Sequence, residues 1–126
     1  MQIGAFALLV PDYDAGIDFY VGNLGFELVE DTDQGGGKRW VMVRPSGGGT
    51  SILLARAVNE PQAASVGNQT GGRVGFFLES ADFARDHAAF VAAGVHFEEQ
   101  PRHEIYGSVA IFRDPFGNRW DLLGRV

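Results

Sequence analysis

The chain contains no cysteine, which excludes disulfide frameworks, thiolate metal sites and cysteine nucleophiles. It has three histidines, scattered without HxH or HxxxH spacing, so histidine metal chemistry has little support. No apolar run approaches the roughly 20 residues that span a bilayer, and no membrane association is expected. The Met1-Gln2-Ile3-Gly4 start lacks the basic region of a signal peptide, which makes the cytoplasm the default expectation. Positive charge is scarce: 10 Lys and Arg stand against 16 Asp and Glu, for a net charge of -6. No basic cluster exceeds Lys38-Arg39, so the surface repels phosphate backbones and nucleic-acid binding is not expected. Also missing are a G-x-S-x-G nucleophile elbow, a G-x-G-x-x-G turn and a phosphate loop, since Gly37-Lys38 is followed by Arg39 rather than Ser or Thr.

What remains is a globular composition in 126 residues, 45% hydrophobic and 12% aromatic, within the size of a single domain. Its most informative feature is an internal repeat at a spacing of about 69 residues, the signature of a duplicated unit. Leu8-Leu9-Val10 recurs as Phe76-Phe77-Leu78, Trp40 to Arg44 as Val109 to Arg113, and Ile52 to Arg56 as Asp121 to Arg125. Each half reads β-α-β-β-β. In the first, Ile3 to Val10 is a strand, Asp14 caps a helix that buries Ile17, Tyr20, Val21 and Leu24, and Gly25 stops it. Strands follow at Phe26 to Glu30, Arg39 to Arg44 and Thr50 to Arg56, separated by Gly-rich turns at Asp31 to Gly37 and Pro45 to Gly49.

The second half places a strand at Arg73 to Leu78 and a helix capped by Ser80, with Phe83, His87, Phe90 and Val91 on its apolar stripe. Gly94 stops it, and strands follow at Val95 to Glu99, Tyr106 to Arg113 and Arg119 to Leu123. Asp114-Pro115-Phe116-Gly117-Asn118 forms a turn whose Pro pre-sets the bend, with Gly117 matching Gly48. The domain is thus modules 1–56 and 73–126 joined by a linker at 57–72, which exceeds the usual connection length. Each half-sheet carries its helix on one face only, so the other faces must meet each other, a partner chain or a ligand.

Paired β-α-β-β-β units, the stretch Ile17-Asp18-Phe19-Tyr20…Leu24-Gly25-Phe26 and the closing Asp114-Pro115-Phe116-Gly117-Asn118-Arg119-Trp120-Asp121-Leu122 resemble the vicinal-oxygen-chelate superfamily of glyoxalase I, bleomycin-resistance proteins and extradiol dioxygenases. The resemblance covers nearly the whole chain. It implies an α+β fold in which two βαβββ modules form a curved sheet cup with helices outside. It also implies a homodimer, since family members commonly dimerise. Metal-dependent members place one ligand on the first strand and one on the last strand of each half. The corresponding positions here are Ala5, Arg73, Ile52 or a neighbour, and Asp121; only Asp121 offers a usual ligand atom. The expectation is therefore no cofactor, with a divalent metal held only through a non-standard site, His103 and Glu104 lying close to a cup strand.

Candidate site residues follow from this scaffold. Asp121 alternates with Trp120 and Leu122, so it faces the cup if Trp120 packs under a helix. Arg73 and Asp121 form either a ligand-reading charge pair or a structural one. Glu104 as general base and Tyr106 as hydrogen-bond donor to an oxyanion are the catalytic candidates, against a loop of solvated charges. Trp40 with Arg39 offers a stacking surface and a charge for a flat ligand, although a strand tryptophan is more often core, as Trp120 is expected to be. Phe77 supplies an aromatic wall. His87 reads as a packed histidine, and Glu98-Glu99 and Asp12…Asp14 as surface charge.

Three functions follow. The first is a glyoxalase/bleomycin-resistance-like protein that binds a small organic molecule in a cup lacking the usual metal ligands. The second is a metal- or acid/base-dependent lyase, isomerase or dioxygenase. The third is a non-catalytic dimeric interaction module.

Overall fold

An apolar run buried at Leu8 and Val10 forms β1 (Ala5–Val10), and its partner is the equally apolar β4 (Ser51–Arg56), parallel to it. The structure, a computed structural model, describes residues 1–125. It divides into two compact units, Met1–Val66 and Gly67–Val126. In the first, β4 pairs antiparallel with β3 (Lys38–Arg44), and β3 with β2 (Glu27–Gly35), giving the order β1-β4-β3-β2. One side of this sheet carries Leu8, Val10, Val41, Val43, Ile52 and Leu54, all buried. Cross-strand register brings Leu8 and Val41 beside Leu54, and Val43 beside Ile52, and each such side chain contributes about 1.5–3 kcal/mol on burial.

The helix over this side departs from expectation. Asp12, not Asp14, caps α1 (Tyr13–Ile17), its Oδ2 accepting from the Ala15 amide at 3.0 Å. The chain then widens into a π-helical turn at Asp18–Asn23. One such turn advances the phase of the buried face. Phe19 is therefore buried together with Tyr20 and Leu24, while Ile17 and Val21 are half-exposed. Gly16 lets the helix approach the sheet: a Cβ there would lie 3.0 Å from Leu54 Cδ1. Gly25 ends the segment at φ 74°, as expected.

β2 extends through most of the segment read as a turn, and the hairpin tip is confined to Gly35–Gly37. Every residue of β2 is exposed, and its pairing with β3 shifts register between Leu28 and Glu30 and again between Asp33 and Gly35. The linker is not structureless. It contains α2 (Glu60–Ser65), capped by Asn59 Oδ1 accepting from the Gln62 amide.

In the second unit, β5 (Phe76–Glu79) begins later than expected, leaving Arg73 in a bend before it. β5 runs parallel to β9 (Arg119–Arg125), β9 pairs antiparallel with β8 (Gly107–Arg113), and both β6 (His96–Phe97) and β7 (Arg102–Glu104) pair with β8. His103 and Glu104 thus belong to a strand, not a loop. The core is aromatic: Phe112 stacks on Trp120, which stacks on Phe76, and Phe90 meets Phe112 edge-on.

α3 (Phe83–Ala92) is capped by Asp82, whose Oδ1 accepts from the Arg85 amide. Ser80, the expected cap, instead accepts from the Asp82 amide and donates to Asp86. Phe90 is the buried member of the helix stripe, and His87 is held between Phe83 and Phe97. Val91, expected on that stripe, is exposed. The Asp114 turn closes as expected: Oδ1 accepts from the Phe116 and Asn118 amides, and Oδ2 from Asn118 Nδ2 at 2.7 Å.

Candidate functional site

Strand alternation sorts the second unit's sheet into two sides. Trp120 and Leu122 are buried on the α3 side, so Arg119, Asp121 and Leu123 point to the other. Register places Phe77 of β5 and Ile111 of β8 directly beside Asp121, with Val109 beside Leu123 and also beside Arg102 of β7. Phe77 is 61% exposed. The result is an apolar floor of Phe77, Ile111 and Leu123 set with charged side chains.

Those charges are nearly all paired. Glu98 Oε2 accepts from Arg119 at 2.8 Å and from Arg113 at 3.1 Å. Glu99 Oε1 takes Arg102 at 3.1 Å and also the Ile111 amide, and Arg125 meets Glu79. Arg102 also reaches Glu104 Oε1 at 3.1 Å and the Tyr106 side chain. Asp121 is the exception. It has no hydrogen bond or ion pair among the described residues, and its Oδ1 is buried without a partner. Burial pushes its carboxyl above the ordinary value, Arg102 and Arg119 pull it down, and Glu99 adds to the rise.

Glu98 behaves in the opposite sense. Its hydrogen bond from Arg119, followed by that from Arg113, holds its carboxyl below the ordinary glutamate value. A depressed folded-state value contributes stability above the ordinary carboxylate range and loses it as pH falls through the lowered value. Glu98→Gln is therefore expected to remove part of the acid limb of stability against pH. The difference is about 1 kcal/mol or less, because the pair is open to solvent screening. Urea unfolding between neutral pH and pH 3 checks this; identical acid limbs for both proteins would exclude it.

The structure brings together some of the expected residues and separates others. Phe77 and Asp121 are neighbours, whereas Arg73 lies outside the strand and is not among the charged groups acting on Asp121. The expected Arg73–Asp121 pair is replaced by Arg102 and Arg119 around Asp121. Glu104 and Tyr106 do meet, through Arg102. His103 turns to the opposite side, its Nδ1 2.8 Å from Ser108 Oγ.

In the first unit, Trp40 is 37% exposed rather than core. It lies opposite the helix side, in register with Thr32. Arg39 does not accompany it: its guanidinium is held by Asp31 at 2.7 Å and Asp14 at 2.9 Å and sits over the Tyr13 ring. Trp40 keeps the stacking surface and loses the charge. Asp12, Asp14, Glu98 and Glu99, read as plain surface charge, are a helix cap and three ion-pair partners. Asp12 carried the signal of an N-cap residue type, whereas the partners of Asp14, Glu98 and Glu99 depend on pairing between segments far apart in sequence.

The glyoxalase/bleomycin resistance protein/dioxygenase superfamily model matches residues 2–122. The chain belongs to this superfamily. An uncharacterised protein of Shewanella frigidimarina is 51% identical over 119 residues, spanning 93% of this chain and 88% of that one. Among solved structures, the antibiotic-binding protein TnmS3 from a Streptomyces species is 29% identical with a TM-score of 0.79, covering 100% of this chain and 97% of its own. A superfamily member from Sphaerobacter thermophilus is 27% identical with a TM-score of 0.77, covering 99% and 98%.

Strand register matches positions of the two units to one another. Ile52 pairs with Phe6 and Val43 on the buried side, as Trp120 pairs with Phe76 and Phe112. The counterpart of Asp121 is therefore Leu53, which pairs with Ala7 and Met42, and that of Ala5 is Gly75 rather than Arg73. The offset between halves shortens from the first strand to the last, which shifted the sequence-based match by a residue or two. Ala5, Leu53 and Gly75 carry no ligand atom. Among the described residues, no group of three or more His, Asp or Glu side chains is placed to hold a metal ion. No helix among them is long and apolar enough to cross a membrane.

Proposed function

We propose that the protein binds a small organic molecule against the sheet side turned away from α3, without a metal at the superfamily positions. The observation that carries this reading is Phe77, an aromatic ring left 61% exposed on a sheet floor beside a carboxylate, in a fold shared with an antibiotic-binding protein. A flat apolar ligand recovers the burial that Phe77 and Ile111 lack, and ringed polar groups orient it. The donor set supports metal independence, because a lone carboxylate does not displace enough water to retain a divalent ion. A homodimer and a cytoplasmic location belong to the same reading.

The test is a thermal-shift screen of aromatic antibiotics and other polycyclic natural products, run with and without a chelator. At least one compound at 100 times its dissociation constant is expected to stabilise the fold by about 2.7 kcal/mol, equally in both conditions. Light scattering on the same samples reports the dimer. A screen without any shift, or shifts that vanish with chelation, would overturn the proposal. Glu104, the base of the alternative catalytic reading, has its Oε1 engaged by Arg102, and no observation favours turnover.

A further inference from the structure

Four arginines stand on or around the second unit's exposed sheet side, and each has a glutamate partner: Arg102 with Glu99 and Glu104, Arg113 and Arg119 with Glu98, Arg125 with Glu79. Asp121 is the carboxylate left over. Its neighbours in register, Phe77 and Ile111, are hydrocarbon and satisfy nothing. One of its oxygens is buried without a donor, an arrangement that native proteins seldom leave uncompensated. The fold does not require a carboxylate there, since Leu53 holds the equivalent place in the first unit's sheet.

We infer that Asp121 selects the ligand: it accepts a hydrogen bond from an O–H or N–H group on a flat apolar molecule seated against Phe77. This rests on the binding reading above and narrows it to a ligand class, hydroxylated or amino-bearing aromatics. The paired arginines sharpen the choice. Their guanidinium groups are engaged by glutamates, so an anionic ligand finds no free cation among these four, whereas a donor finds in Asp121 a carboxylate with no partner among the described residues. A carboxylate beside hydrocarbon neighbours is costly to leave without a donor.

The experiment titrates the isotopically labelled full chain with 2-naphthol and, separately, with 2-methoxynaphthalene, following the amide resonances of Phe77, Ile111 and Asp121. The two probes share a ring system and differ in the donor. The wild-type protein is expected to bind the naphthol about tenfold more tightly than the ether, a difference of about 1.4 kcal/mol. In Asp121→Leu both are expected to bind with similar affinity, while Asp121→Asn, which keeps an acceptor, retains part of the preference. Unchanged resonances in the first unit confirm that each variant is folded. Equal affinities in the wild type, or a preference that survives in Asp121→Leu, would overturn the inference and leave the binding surface standing. If neither probe moves these resonances, the binding surface itself fails and the inference with it.

Discussion

Replacing Asp114 by Ala is expected to lower stability by about 3 kcal/mol, among the largest losses available outside the aromatic core. Asp114 is 4% exposed and accepts from the amides of Phe116 and Asn118 and from the Asn118 side chain. Removing it leaves the buried Asn118 amide and side chain and the half-buried Phe116 amide without their acceptor, and a lost charge-assisted acceptor costs more than a neutral one. The turn it closes sets the register of β8 against β9, and with it the position of Asp121 beside Ile111. Urea unfolding followed by circular dichroism measures the effect. A loss below about 1 kcal/mol would mean that Pro115 and Gly117 close the turn unaided.

Gly67→Ala is expected to destabilise the same turn from the other side, by about 2–4 kcal/mol. Gly67 sits at φ 72°, and a Cβ there would fall 1.8 Å from the Phe116 carbonyl oxygen. Backbone, not a flexible side chain, would have to give way. Gly71 provides the control, since its φ is 70° with nothing within 4 Å of the added carbon. Gly71→Ala therefore isolates the penalty of left-handed backbone, about 1–2 kcal/mol. Chemical denaturation of the two variants gives the contact term as their difference; equal losses would show that the approach to Phe116 is not tight.

The alternation around Trp120 was readable because strand geometry leaves a side chain two options, and burying the indole on one side sends Asp121 to the other. The glycine stops at Gly25 and Gly94, both at positive φ, were equally legible, as local stereochemistry decides them. The π-helical turn was not. It adds a residue to one turn without any change in composition, so a period of 3.6 assigned Ile17 and Val21 to the core in place of Phe19. β2 was cut short for a related reason: Asp31 to Asp33 reads as a turn by residue type, yet pairing with β3 holds it extended.

The site divided along the same line. The side on which Asp121 lies followed from its alternation with Trp120 and Leu122. The glutamate partners did not, because which arginine meets Glu98 or Glu99 depends on pairing between strands far apart in sequence. Trp40 and Arg39 are adjacent and were read as one surface. Strand geometry puts them on opposite sides, and Asp14 and Asp31 claim the arginine.

β2 is an outer strand with a single partner and with every residue exposed, which by itself would be a template for indefinite stacking of one molecule on the next. Two features oppose this. Glu30 and Asp33 give an approaching identical strand like charges to meet, and the two register shifts prevent a continuous ladder. The first safeguard weakens near the pI of about 4.9, where net repulsion between molecules vanishes. The second is built into the backbone and does not titrate, so resistance to polymerisation in acid rests on two kinks in one strand.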